Sequence, residues 1–284
     1  MSDTRLEVLA DGFAFTECPR WRDDRLWFSD MHEHGVYTLD LDGGVERQFE
    51  VDSQPAGLGW RPDGTLLVVG MKSRTLNAWD GRSLTQVADL SDLAPWHCND
   101  MVVADDGTAY IGNFGWDLDY QTTTPRRTNL VMVDGTGTPS VVAEDLSFPN
   151  GMVIIPQGPA LVVGETMDGA LTAFDIGEGG LLSNRRTWAK PEGLIPDGIC
   201  LDSEGGIWVA NPLLNEVVRV TEGGEVTDRI STGESGAIAC MLGGPDGRTL
   251  FVCTASTTHP DQSVEMKSGK IQAIEVAVPH AGLP

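Results

Sequence analysis

Residues Asn99–Phe114 read NDMVVADDGTAYIGNF: an apolar run, the tight polar turn ADDGT, and a second apolar run. Two short β-strands joined by an Asp-Gly turn form a hairpin, because the turn residues tolerate the positive φ that matches strand twist. The pattern recurs. ECPRWRDDRLWFSDM from Glu17 and AGLGWRPDGTLLVVGM from Ala56 precede it. NGMVIIPQGPALVVGET from Asn150, DGICLDSEGGIWVAN from Asp197 and ACMLGGPDGRTLFVCTA from Ala239 follow it. Most are trailed by a further strand, such as HGVYTLDL, NLVMVD, GALTAFDI or GKIQAIEV. The starts lie 39, 43, 51, 47 and 42 residues apart. A period in the forties with three or more strands per unit is the mark of a β-propeller. Six units use up the 284 residues almost completely. The expectation is an all-β, six-bladed β-propeller formed as one domain over residues 1–284. The ring closes where Leu6–Ala10 pairs beside Ile271–Val278, which removes an open sheet edge.

The first residue of each unit is Glu17, Ala56, Asn99, Asn150, Asp197 and Ala239. In a propeller, equivalent positions on the innermost strands converge on the central axis. Glu17, Asn99, Asn150 and Asp197 are therefore expected to face one another. Two carboxylates and two amide oxygens make a hard oxygen site, and the repulsion between the carboxylates calls for a cation. One divalent ion is expected, Ca2+ by ligand hardness, with Zn2+, Mg2+ or Mn2+ able to use the same oxygens. The competing explanation is that Pro-Asn-Gly and Pro-Asp-Gly are ordinary turn tripeptides.

A second register holds Asp30, Gly70, Asn113, Glu165, Asn211 and Thr254. It predicts another polar layer along the channel, in which Asn113 and Glu165 are candidates for substrate binding. Strand-end hydrogen bonding is the alternative for these positions. Trp96, Phe114 and Trp116 flank the third unit and suit an apolar wall for substrate or packing between blades. The insertion Gly115–Arg127 accounts for the longest interval and fits either a lid or a passive excursion. His32, His34, His259 and His280 fall in loops or the tail and read as structural or surface residues.

Composition narrows the partners. A formal charge of −23, from 42 acidic and 19 basic residues, argues against nucleic acid and anionic membranes. There is no apolar run long enough for a membrane helix and no basic, apolar leader at the N-terminus. Five cysteines without a CxxC pair read as buried thiols in a reducing, cytoplasmic setting. A small-molecule substrate is the expected partner, and the oligomeric state is open.

The chain resembles the SMP-30/gluconolactonase (regucalcin-like) family. The carriers are FTECPRW at Phe15–Trp21, CND at Cys98–Asp100, FPNGM at Phe148–Met152, and PDGICLDSEGGIWVA at Pro196–Ala210. The resemblance implies a six-bladed propeller with one divalent cation and lactone hydrolysis. It implies metal ligation at Glu17, Asn150 and Asp197, with Asn99 binding substrate near or on the metal and Asp197 as general base. Sugar lactonases of the family read R-x-N-D where this chain has His97-Cys98-Asn99-Asp100. Arginine is a permanently charged, bidentate donor suited to polyhydroxyl substrates. Histidine at 97, a candidate substrate donor or proton shuttle, points to a less polar lactone or ester. Phosphotriester hydrolysis, and a calcium- or ligand-binding propeller without turnover, are the alternatives.

Overall fold

The computed structural model describes residues 5–118 and 123–284. Among them, 24 strands form six four-stranded antiparallel sheets. Blades 1 to 5 run in chain order from inner to outer strand, over residues 16–50, 55–89, 98–146, 149–189 and 199–231. Blade 6 takes three strands from residues 236–275 and its outermost strand from Glu7–Phe13. Glu7 pairs with Ala273 and Ala10 with Ile271, so the first strand closes the ring as the sequence predicts. Each two-residue alternation buries one face against the neighbouring blade. Trp21 of blade 1 stacks on Phe251 of blade 6 at 5.3 Å, and Phe49 of blade 1 on Trp79 of blade 2 at 4.4 Å. Among the described residues, no helix is long and apolar enough to cross a membrane.

Each inner strand begins at the same end of the channel, and each second strand returns to it. Thr16 pairs with Asp30, Pro55 with Gly70, Cys98 with Asn113, Pro149 with Glu165 and Ala237 with Thr254. The connections that leave the second strands and those that enter the inner strands therefore share one face, here called the mouth.

Immediately past these pairs the inner strands bulge. Pairing skips between Glu17 and Arg20, Pro55 and Leu58, Cys98 and Met101, Pro149 and Met152, and Ala237 and Ala239. A bulge frees a residue from the ladder and re-aims its side chain. In blade 5 the same place is irregular: Asp197 N donates to Ala210 O, and Ala210 N to Gly198 O, both at 3.0 Å. This register corrects one expectation. The blade 6 residue equivalent to Asn99 and Asn150 is Ile238, not Ala239, because Ala237 is the residue opposite Thr254.

Two further features escape the repeat pattern. A seven-residue helix, α1 (Pro260–Met266), lies in the blade 6 connection at the mouth, opened by Pro260 and closed by Lys267 in the left-handed conformation. It is too short to show a helical period. At the opposite end the C-terminal tail crosses under three blades. His280 N donates to Gly247 O, Ala281 N to Leu201 O, and Ile154 N to Leu283 O.

Candidate active site

Asn150 and Asp197 are each followed by glycine, and neither glycine makes a turn there. Gly151 lies within the strand Pro149–Ile155, and neither Gly151 nor Gly198 has positive φ. The glycines are demanded by close approach. A Cβ on Gly151 would meet Asp197 O and Ile199 N at 2.6 Å, and one on Gly198 would meet the Ala239 Cβ at 2.4 Å. Inner strands crowd where they meet the axis, so the backbone after each site residue has no room for a side chain.

That crowding brings Glu17, Asn99, Asn150 and Asp197 together. Asn99 Nδ2 donates to Asn150 Oδ1 at 3.1 Å. Asn150 Nδ2 donates to Thr166 Oγ1 at 3.2 Å, and Thr166 Oγ1 donates to Pro196 O at 2.7 Å. Because the threonine spends its one proton on a carbonyl, it must accept from Asn150. This fixes the amide with its oxygen on the Asn99 side. Glu17 Oε2 accepts the Cys18 N–H at 2.9 Å. Glu17, Asn99 and Asn150 are all buried, and Asp197 is partly exposed toward the mouth.

Burial pushes the Glu17 carboxyl well above its ordinary range, and the negative charges of Asp197 and Asp100 push it further. Burial likewise pushes Asp197 up to about 8, with the Asn150 amide opposing and Asp100 adding to the shift. The nearest cation, Arg20, is committed elsewhere. Its Nη2 donates to Asp100 Oδ1 at 2.6 Å and to Met101 O at 2.7 Å, its Nε to Leu58 O at 3.0 Å, and its Nη1 to Pro19 O at 2.8 Å. Arg20 thus bolts blades 1, 2 and 3 together beside the cluster. Two repelling carboxylates and two amides, with no nearby guanidinium to spare, fit a hard divalent cation. Among the described residues, no three His, Cys, Asp or Glu side chains gather as a metal-binding group. The donor set relies on the two amides.

The second register behaves differently. Asn113 Oδ1 accepts from Thr128 Oγ1 at 2.5 Å, and its Nδ2 donates to Asn129 O and Oδ1. Glu165 accepts from Thr172 Oγ1 at 2.5 Å, from Ser147 N at 2.8 Å and from Arg185 Nη2 at 2.9 Å. It lines a polar cleft of about 290 Å3 with Asp168 in the turn after the second strand of blade 4 and Thr172, Arg185 and Arg186 on the two outer strands of that blade. Asp30 accepts the N–H groups of Ala14 and Phe15, Asn211 Oδ1 accepts that of Ile195, and Thr254 Oγ1 donates to Gln272. In place of the expected polar layer, these side chains point into their own blades or tie down mouth connections. Asn113 and Glu165 are therefore not brought to the four-residue cluster.

Aromatic residues line the mouth. His97 stacks on Trp96 at 4.8 Å and meets Phe114 edge-on at 6.5 Å. Phe114 packs at 4.9 Å against Phe148. Burial and the positive charge of Lys72 hold the His97 imidazole below its ordinary pKa, so it is neutral at pH 7. Trp116 is buried in the connection after Asn113. The loop 115–127, read as lid or excursion, includes residues 119–122, which lie outside the described residues; at its end Arg127 pairs with Asp168 at 2.9 Å.

Sequence reading missed Phe15, His32 and Phe148 in this wall. The His32 ring stacks on Phe15 at 4.9 Å, and its Nδ1 lies 2.5 Å from Ser263 Oγ of α1. Phe15 and Phe148 each sit two residues before a member of the cluster, Glu17 and Asn150, a signal available in FTE and FPN but not used. All five cysteines are buried and unbridged.

Comparison with known proteins places this geometry in a family. Residues 15–256 match the family model "SMP-30/Gluconolactonase/LRE-like region", and the chain belongs to that family. It is 27% identical to pentonolactonase XacC of Haloferax volcanii over 92% of this chain and 90% of that protein. It is 25% identical to 6-deoxy-6-sulfogluconolactonase of Pseudomonas putida over 100% and 99% of the two chains. Among solved structures, a calcium-binding regucalcin of Agrobacterium tumefaciens superposes with a TM-score of 0.82 at 21% identity, over 100% of this chain and 97% of that one. At that identity the structural likeness speaks to the fold.

Proposed function

We propose that the protein is a metal-dependent lactonase. One divalent cation, Ca2+ before Zn2+, Mg2+ or Mn2+, would be held by Glu17, Asn99, Asn150 and Asp197. A cyclic ester would be opened by water with Asp197 as general base. The observation that carries the reading is the set of two repelling carboxylates and two amides, drawn from four blades, in a family whose named relatives include lactonases.

When bound, the cation supplies positive charge that polarises an ester carbonyl and stabilises a developing oxyanion. The chain supplies the rest. Asp197, partly exposed at the mouth, is placed to take a proton from water. The Thr166 hydroxyl accepts from the Asn150 amide nitrogen, which holds the amide oxygen on the Asn99 side. Neutral His97 on the rim can donate to substrate or carry a proton to the departing alkoxide. The aromatic wall excludes water and favours an apolar substituent over the polyhydroxyl chain of a typical sugar lactone.

The test is a pH-stat screen of lactones after chelation, with each cation returned in turn. Asp197→Asn is expected to lower kcat by about 10²-fold or more while leaving the melting curve recognisable. Near-normal turnover in that variant overturns the base assignment, and turnover that survives chelation overturns the metal requirement. A second reading, a calcium-binding propeller without turnover, rests on the same hard-oxygen donor set of two carboxylates and two amides, which would hold the ion whether or not an ester is turned over. Cation binding with no hydrolysis of lactones, aryl esters or phosphotriesters would establish it.

A further inference from the structure

Three hydrogen bonds run through the cluster in one direction. Asn99 Nδ2 donates to Asn150 Oδ1 at 3.1 Å, Asn150 Nδ2 to Thr166 Oγ1 at 3.2 Å, and Thr166 Oγ1 to Pro196 O at 2.7 Å. The run starts on blade 3, crosses blade 4 and ends on the connection entering blade 5, at the residue before Asp197. Its last member is a main-chain carbonyl, which can only accept. That one constraint sets every other bond. Thr166 must donate to Pro196, so it accepts from Asn150. Asn150 then shows its oxygen to Asn99, and Asn99 must answer with its nitrogen. An amide oxygen has two lone pairs, so Asn150 Oδ1 can accept from Asn99 and still face an ion. The Asn99 oxygen takes no part in the run.

Thr166 is itself held in place. Its N–H donates to Phe148 O at 3.1 Å, and it opens the turn Thr166–Asp168, where Gly169 N donates back to Thr166 O. The carbonyl after that of Pro196, Asp197 O, accepts from Gly151 N at 3.2 Å. Blade 4 therefore holds two consecutive carbonyls of the segment that carries Asp197, one through the Thr166 hydroxyl and one through the backbone beside Asn150. The Asp197 carboxyl also attracts the Asn150 amide, but it belongs to the proposed donor set. Thr166 does not, and its hydroxyl is left to the amide when an ion is held.

We propose that Thr166 is a positioning residue of the cation site, whose single hydroxyl turns the Asn150 oxygen, and through it the Asn99 amide, to the orientation that ion binding needs. The inference rests on the cation reading of the cluster and adds a residue outside its four donors. Without the hydroxyl the Asn150 amide is free to turn over. A turned amide presents N–H groups where a cation needs an oxygen, and Asn99 loses its acceptor.

The experiment titrates Ca2+, and then Mg2+, Mn2+ and Zn2+, into the chelator-stripped full chain by calorimetry. Thr166→Val, which keeps the shape and removes the hydroxyl, is expected to weaken binding by about 10- to 100-fold. Thr166→Ser, which keeps the hydroxyl, is expected to bind like the wild type. The discriminating background is Asn150→Asp, because a carboxylate offers oxygen in either orientation and needs no steering. There Thr166→Val is expected to change affinity by less than about twofold. Melting curves taken alongside verify that each variant is folded. Wild-type affinity in Thr166→Val overturns the inference and leaves the cation site standing. So does an equal loss in Thr166→Ser, or an equal loss from Thr166→Val in the Asn150→Asp background, since either shows the residue acting by packing alone. Failure of the wild type to bind any of the four cations overturns the inference and the cation reading together.

Discussion

At the scale of single residues, the candidate site is an electrostatic problem. Glu17, Asp100 and Asp197 crowd one region, and a single guanidinium, Arg20, answers one of them. The Arg20–Asp100 pair is buried on both sides, so truncating one partner strands the other charge. Arg20→Met is expected to destabilise the fold by about 3–5 kcal/mol, and the double change Arg20→Met, Asp100→Leu to recover much of that; chemical denaturation measures both. His32 carries a pH dependence. Burial, then the charge of Lys72, lowers its pKa from 6.5 to about 4, so the folded chain holds it neutral where the unfolded chain protonates it. Its contribution is therefore fully present above pH 6.5 and is lost as pH falls toward 4. His32→Phe is expected to flatten the melting temperature over that window, and an unchanged profile would refute the assignment. The convergence of Glu17, Asn99, Asn150 and Asp197 was legible in the sequence because the repeat aligns them. The Arg20 clamp was not, because one arginine in ECPRW carries no sign that it crosses two blades.

At the scale of the strand, function depends on where the ladder is interrupted. Asn99 and Asn150 lie within bulges and Glu17 borders one, and the glycines after Asn150 and Asp197 let neighbouring inner strands touch. The dipeptides Asn150-Gly151 and Asp197-Gly198 look like turns in sequence, yet both glycines serve contact between strands. Gly151→Ala places a Cβ against the Asp197 carbonyl and the Ile199 amide, neither of which can rotate away. A loss of about 1–3 kcal/mol in stability is expected, together with weaker cation binding in a calorimetric titration. Wild-type affinity in that variant would show that the strands yield. The second register was misread at this scale. Its position at strand ends was right, but side-chain direction alternates along a strand, and neighbouring threonines, asparagines and arginines claim Asn113 and Glu165.

At the scale of the whole molecule, closure comes from two ends of the chain. Glu7–Phe13 completes blade 6, and the tail from His280 to Leu283 runs beneath blades 6, 5 and 4. A chain beginning at Ala14 leaves the strand Gly269–Glu275 as an open edge. A lower melting temperature and concentration-dependent scattering are expected, and a truncated chain that melts like the full one would show that the tail alone suffices. The amino-acid sequence by itself determined the blade count, the strand order and the identity of the four converging residues. Those are consequences of a period and an alternation, which are local and written along the chain. Only the tertiary structure decided which end of the channel is the mouth, that Ile238 completes the blade 6 register, and that α1 carries Ser263 to His32. Each of these depends on contact between residues far apart in sequence, which no local pattern encodes.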